Sequence, residues 1–244
     1  MRFTPLRKKW WLLKNKYADT YLCKKKYMYA FKLIDPRLLV VLMLFILQSG
    51  VAQNSHTQKA LDEKVQAFLK KNKSNWHDLN VPYEDGQVLH DLILKHNYKS
   101  ALEIGTSTGH STIWIAWALS QTGGKLVTIE IDEERYKKAL ENLKAVGLSA
   151  YVDARLADAH DLVKQLEGPF DFVFSDADKT WYTQYFKDLQ SKLSVGGCFT
   201  AHNVNNNFSG VREFMDYVRS QKNFETSIVG SRSEGISLSY KKSK

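Results

Sequence analysis

From Ser100 to Gln221 the chain alternates two patterns five times: a short apolar run ending on a glycine or polar residue, then a longer stretch with helical spacing. Strands are expected near Ser100–Ile104, Lys125–Ile129, Ala150–Leu156, Phe170–Ser175 and Gly197–Ala201. Helices are expected near His110–Leu119, Glu133–Val146, Ala159–Leu166, Trp181–Leu193 and Val211–Gln221. Asp132 reads as the N-cap and Gly147 as the stop of the second of these helices. Such alternation builds a parallel sheet covered on both faces, with the carboxyl ends of its strands on one rim. Leu61, Val65, Phe68 and Leu69, then Val88, Leu89, Leu92 and Ile93, mark two helices ahead of the first strand. Phe224–Val229 and Ile236–Tyr240 read as two closing strands. The fold expected is α/β: a doubly wound, mostly parallel seven-stranded sheet with two extra amino-terminal helices.

Charge is distributed unevenly. Residues 1–37 carry 11 Lys/Arg and 2 Asp/Glu, which accounts for the whole net charge of +9. The remainder is balanced, so no nucleic-acid partner is indicated. The basic segment runs into an uninterrupted apolar stretch, Leu38–Leu47, followed by small residues at Gly50 and Ala52. That is the layout of a secretory signal, and it is shorter than the roughly 20 residues a membrane span needs. Cleavage after Ala52 is expected, which leaves residues 53–244 as one domain. The alternative is an uncleaved anchor through residues 38–47, the chain's one membrane contact. The domain is then exported, periplasmic or secreted, or tethered, and cytoplasmic if the segment is unused. Met28 would begin a signal of ordinary length. Cys23 lies upstream of it, so Cys198 alone remains and no intrachain disulfide is expected.

In sheets of this kind ligands bind at the carboxyl rim, and the polar residues there are specific. The first strand ends in Glu103-Ile104-Gly105 and turns through Thr106, Ser107, Thr108 and Gly109 into a helix bearing Ser111. Glycines allow close approach to a ligand, and free amides at a helix start favour a carboxylate or phosphate. The spacing is not the Gly-x-Gly-x-x-Gly of dinucleotide folds. A tight turn without a ligand would use the same glycines. Glu130 ends the second strand, where it can accept both hydroxyls of a ribose or simply be solvated. Asp158 can meet an adenine amino group or cap the next helix. The fourth strand ends in Ser175-Asp176-Ala177-Asp178-Lys179 and the fifth in His202-Asn203. Oxygen ligands from two strand ends beside a lysine suit a divalent cation holding an oxygen nucleophile.

Residues 100–241 resemble the cation-dependent O-methyltransferases, the family of the catechol and caffeoyl-coenzyme A enzymes. The matching runs are Glu103-Ile104-Gly105 through Ser111, Thr128–Ile131, Asp171–Lys179 with Tyr182, Gly196-Gly197 leading to Asn203, and Glu234–Leu238; Asp85-Gly86-Gln87 resembles the segment before the first strand. The resemblance implies a Rossmann-like methyltransferase fold and S-adenosylmethionine as cofactor. Glu103, Gly105, Ser107, Gly109, Ser111, Glu130, Asp158 and Asp176 would line its site. Asp176 and Asn203 would hold a divalent metal of the Mg or Mn class, and Lys179 would be the general base. Homodimers are frequent in the family.

One residue departs from the pattern: His202 stands where the family has Asp. A neutral imidazole in place of a carboxylate removes a negative charge and favours Mn²⁺, Fe²⁺, Co²⁺ or Zn²⁺ over Mg²⁺. His202 is thus a third candidate ligand, with two other roles open: a base in a weakly metal-dependent enzyme, or a structural histidine at a strand end. Trp181, Tyr182, Tyr185 and Phe208 are candidates for an aromatic acceptor wall, with at least half expected to be core. Trp114 and Trp117 read as packing. The leading expectation is methyl transfer to a small phenolic or catechol-like hydroxyl. Two alternatives are a metal-independent methyltransferase for another nucleophile and a non-catalytic exported module that binds a nucleoside-like ligand.

Overall fold

The computed structural model describes residues 56–76, 79–206, 209–230 and 234–243. The amino-terminal segment, with the apolar stretch 38–47, Met28 and Cys23, lies outside the described residues, as does Phe208. No helix among the described residues is long and apolar enough to cross a membrane.

A helix over residues 56–71 (α1) and one at Tyr83–His96 (α2) precede the sheet. The order is then β1 (Ser100–Ile104), α3 (His110–Thr122), β2 (Lys125–Glu130), α4 (Glu133–Val146), β3 (Val152–Leu156), α5 (Ala159–Gln165) and β4 (Phe170–Ser175). It continues with α6 (Tyr182–Leu189), β5 (Leu193–His202), α7 (Ser209–Ser220), β6 (Phe224–Val229) and β7 (Ile236–Lys241). The seven strands lie in the order β3-β2-β1-β4-β5-β7-β6, and only β7 runs antiparallel to its neighbours. Asp132 caps α4 by accepting the Arg135 N–H at 2.9 Å, and Gly147 ends that helix at φ 84°. Period-2 alternation divides the core between the two faces. Phe172 and Phe174 pack with Leu89, Ile93 and Trp114, while Val173 joins Ile104, Phe199 and Phe214 on the other side. Trp114 and Trp117 are buried, as expected of packing residues.

Two stretches depart most from the sequence reading. Residues Ser149–Tyr151 form a 3-10 turn, so β3 starts at Val152. The helix expected over Trp181–Leu193 stops at Leu189, and β5 already begins at Leu193. The reason is a tertiary one: Lys192 gives its carbonyl to Phe170 N at 2.8 Å and sends Nζ to the carbonyls of Val163 and Lys164, which draws this segment into the sheet.

The strand order reverses between the parallel neighbours β1 and β4, so their carboxyl ends open a crevice at the switch point.

Candidate active site

The two loops at that crevice touch through backbone. Gly105 has φ 98°, and a Cβ there would lie 3.0 Å from the carbonyl oxygen of Asp176. Asp176 N donates to Ile104 O at 2.9 Å. Only glycine allows this approach, and it sets the end of β1 directly against the Asp176 segment.

On one side of the contact the site is built from backbone. Gly105 N and Thr106 N both donate to Ile129 O, and Ser107, at φ 47°, donates its amide to Glu130 Oε2 at 2.7 Å. Glu130 Oε1 accepts from Ile131 N and Asp132 N. Glu130 therefore locks its own strand end to the glycine loop. Gly109, at φ 97°, caps α3 where a Cβ would press on Ala139 at 3.3 Å. Beneath the loop, Glu103 is fully buried. It accepts from the hydroxyls of Thr112 and Thr128 at 2.6 Å each and is also bonded by Ser111. Because Thr128 gives its hydrogen to Glu103, Thr106 donates to Thr128 at 2.6 Å, and the chain of hydroxyls ties loop to sheet. Burial pushes the Glu103 carboxyl up to about 7 against those hydrogen bonds. Asp158 caps α5, accepting from His160 N at 2.8 Å. With Gly105, Glu130, Asp178 and Tyr185 it also lines a cavity of about 230 Å³.

On the other side the site is built from charged side chains. Asp176 splits its carboxylate: Oδ1 accepts from Lys179 Nζ at 2.8 Å, and Oδ2 lies 3.2 Å from His202 Nδ1. His202 is 3% exposed, and its Nε2 lies 2.8 Å from Asp85 Oδ2. Burial alone would lower the imidazole, but Asp176 and Asp85 outweigh it and push it up to about 9. Tyr182, fully buried, donates its hydroxyl to the His202 carbonyl at 3.2 Å and is held well above the usual tyrosine range, chiefly by burial and then by Asp176. Asn203 follows at φ 58° and turns the chain into a loop held by Val204 N on Gly235 O and Asn205 N on Glu234 O.

Among the described residues no three His, Cys, Asp or Glu side chains group as metal ligands. The candidate set holds two of these types, Asp176 and His202, with the amide residue Asn203 beside them. One observation fits a cation: His202 Nδ1 is a buried nitrogen without a hydrogen-bond partner, although it stands within ion-pair distance of Asp176. An imidazole nitrogen and a carboxylate oxygen side by side are ligands that divalent transition ions accept.

Asp85 is the functional candidate that sequence reading passed over. It is 2% exposed and 117 positions from His202. In sequence it looks like an acid in a first helical turn, where it would merely complement the helix dipole. The available signal was the adjoining Gly86, inside a helix, where a Cβ would meet the Trp114 ring at 2.2 Å. That glycine lets α2 close on α3 and carries Asp85 to the rim. Of the aromatic candidates, Tyr182 and Tyr185 belong to the core, and Trp181 stacks on His160 with ring centres 3.8 Å apart.

The comparisons agree with this geometry. The profile of the O-methyltransferase family matches residues 52–223. A catechol O-methyltransferase from Niastella koreensis is 38% identical over 130 residues, which cover 52% of this chain and 58% of that relative. A putative caffeoyl-CoA O-methyltransferase from Arabidopsis thaliana is 31% identical over 163 residues, 66% of this chain and 68% of the relative. The match thus spans little more than half the length of the catechol enzyme. An O-methyltransferase from Bacillus cereus, solved in complex with SAH, shares 27% identity at a TM-score of 0.64 over 78% of this chain and 97% of its own. The O-methyltransferase TomG from Streptomyces achromogenes, solved with SAM, shares 27% at 0.63 over 75% and 90%. The family profile covers well over half of the chain, and the chain belongs to the O-methyltransferase family.

Proposed function

We propose that the chain transfers a methyl group from S-adenosylmethionine to a hydroxyl of a small phenolic or catechol-like acceptor, with a divalent cation held by Asp176, His202 and Asn203. The observation that carries this reading is the junction of the Gly105 loop with the Asp176–Lys179 pair at the switch point. Relatives named for catechol and caffeoyl-CoA methylation, and neighbours solved with SAM or SAH, support it.

The Gly105–Gly109 loop, Glu130 and Asp158 would hold the cofactor, with its sulfonium toward Asp176. The cation, when bound, would lower the acceptor hydroxyl's pKa and fix its oxygen. Lys179 would take the hydroxyl proton, and Asp176, 2.8 Å away, would hold the ammonium that results. The oxygen bonds the methyl carbon as the carbon–sulfur bond breaks, and the sulfonium becomes a neutral thioether. Orientation of the two reactants can contribute about 7–11 kcal/mol of barrier lowering. His202, with both ring nitrogens facing carboxylates and almost no exposure, is poorly placed as the base.

Labelled S-adenosylmethionine, offered with a panel of catechols and other phenols to metal-stripped protein and then to protein given Mg²⁺, Mn²⁺, Co²⁺ or Zn²⁺, tests this. Turnover that depends on a cation is expected. Cofactor bound without turnover on any acceptor would favour the binding module instead. The basic flank and apolar stretch 38–47 carry the further proposal that the domain is exported or tethered, which protease accessibility in intact cells checks. Homodimerisation is proposed by family likeness, with sedimentation as its measurement.

A further inference from the structure

We propose that Asp85 sets which cation this site takes: it accepts the His202 Nε2–H and so presents Nδ1 as the ligand beside Asp176, turning the site from Mg²⁺ toward Mn²⁺, Co²⁺ or Zn²⁺. The inference deepens the metal-assisted reading above and rests on it.

Three observations carry it. First, an imidazole can offer a lone pair on one nitrogen only while the other holds its hydrogen, and the partner of that second nitrogen selects the tautomer. Here Asp85 Oδ2 stands 2.8 Å from Nε2, nearer than Asp176 Oδ2 stands to Nδ1 at 3.2 Å, so Nε2 keeps its hydrogen and Nδ1 is the nitrogen that a cation, displacing the proton shared with Asp176, would bind. Second, Nδ1 is the ring atom that is buried, without a hydrogen-bond partner, and 3.2 Å from a second candidate ligand atom, Asp176 Oδ2. Third, Asp85 is fixed rather than opportune. It is almost wholly buried, and the helix that bears it is pressed against Trp114 at Gly86, where no side chain would fit. A carboxylate behind a ligating histidine orients the ring and raises its basicity, and loss of such a group typically costs 10- to 100-fold in metal affinity. The ring itself brings no negative charge, which weakens the attraction for Mg²⁺ more than for ions that accept nitrogen well. Asp85 is therefore a positioning residue for the cation, acting through His202.

The test needs no acceptor. Full-length protein is stripped of metal and titrated with Co²⁺, followed by its visible bands, with Mn²⁺, followed by electron paramagnetic resonance, and with Mg²⁺ in competition. Wild type should bind Co²⁺ and Mn²⁺ at least tenfold more tightly than Mg²⁺. Asp85→Ala should lose about 10- to 100-fold in Co²⁺ affinity, and His202→Asp should restore preference for Mg²⁺. Protein labelled with ¹⁵N-histidine and loaded with Zn²⁺ should show His202 Nδ1 as the metal-bound nitrogen and Nε2 still protonated. That spectrum is read on wild type and stands even if a variant fails to fold. Unchanged Co²⁺ affinity in a folded Asp85→Ala, Nε2 as the bound nitrogen, or a wild type that binds no cation while both ring nitrogens stay protonated would each overturn the proposal. Tight Co²⁺ binding through Nδ1 in a protein that methylates no phenol would sustain it and sink the acceptor assignment.

Discussion

The two halves of the rim are made of different materials. At the ends of β1 and β2, backbone amides and glycines do the binding geometry: Gly105, Ser107 and Gly109 at positive φ, and a Glu130 carboxylate fully engaged with amides. At the ends of β4 and β5, four ionisable side chains, Asp85, Asp176, Lys179 and His202, face one another in a row. Backbone geometry is a local property of a few adjacent residues. A row of charges is a property of the whole fold, because each member is costly to bury unless another element supplies its partner. The first half should therefore tolerate loss of one side chain by loosening the cofactor, and the second should fail in the chemistry.

Asp176→Ala is the sharpest break in this contrast. It strips Lys179 of its 2.8 Å partner and leaves His202 facing Asp85 alone. Turnover should fall on the order of 10³-fold, within the range for loss of positioned acid–base machinery, while cofactor affinity measured by calorimetry changes less than about threefold. A variant that keeps a tenth of wild-type turnover would remove Asp176 from the reaction.

The Glu103 carboxyl beneath the loop offers a pH test on the other half. Its value rises from 4.5 to about 7 in the fold because burial disfavours the charge. The neutral form thus stabilises the folded state fully below pH 4.5, and that contribution is lost as pH rises through about 7. Roughly 3 kcal/mol should go in this window at 1.36 kcal/mol per unit. Urea unfolding of Glu103→Gln between pH 4.5 and 8 should lack this decline, since an amide does not titrate; an unaltered slope would show that Glu103 is ionised in the fold. Glu130→Ala should be milder. Three amides lose an acceptor, the glycine loop loosens, and cofactor affinity should fall about tenfold with kcat nearly unchanged, each freed amide costing about 1 kcal/mol or less once water replaces the carboxylate.

The contrast also explains what could be read from the chain before its fold was known. The glycine loop, the strand ends and the Asp132 and Asp158 caps are written in neighbouring residues, where turn and cap chemistry act over three or four positions. The sheet followed from repetition. Asp85 did not, because the one local sign was the glycine beside it, Gly86, and its partner arrives only when α2 closes on the end of β5. The early start of β5 was hidden for a related reason. Leu189 to Leu193 continues a helical pattern, and only the pairing of Lys192 with Phe170 and with the end of α5 ends it. His202 was visible as a departure from the family pattern, yet its meaning depended on Asp85.

The smallest effect separates two roles that coincide at Asp158. Its carboxylate caps α5 through His160 N and also faces the cavity lined by Gly105 and Glu130. Capping asks only for an acceptor oxygen, which asparagine provides as well as aspartate. Asp158→Ala should cost about 1 kcal/mol of stability, the usual worth of a cap, and Asp158→Asn should restore most of it. A hydrogen bond from the adenine amino group is stronger to a charged acceptor than to an amide oxygen, so Asp158→Asn should leave the cofactor weakened about two- to fivefold even where stability has returned. Thermal unfolding and cofactor titration on the same two variants divide the roles. If Asp158→Asn recovers both quantities, Asp158 is a cap and the adenine is held by the backbone half of the rim alone. If it recovers stability only, a side-chain contact belongs to the cofactor side too, and the division between the two halves of the rim falls at Asp158 rather than between β1 and β4.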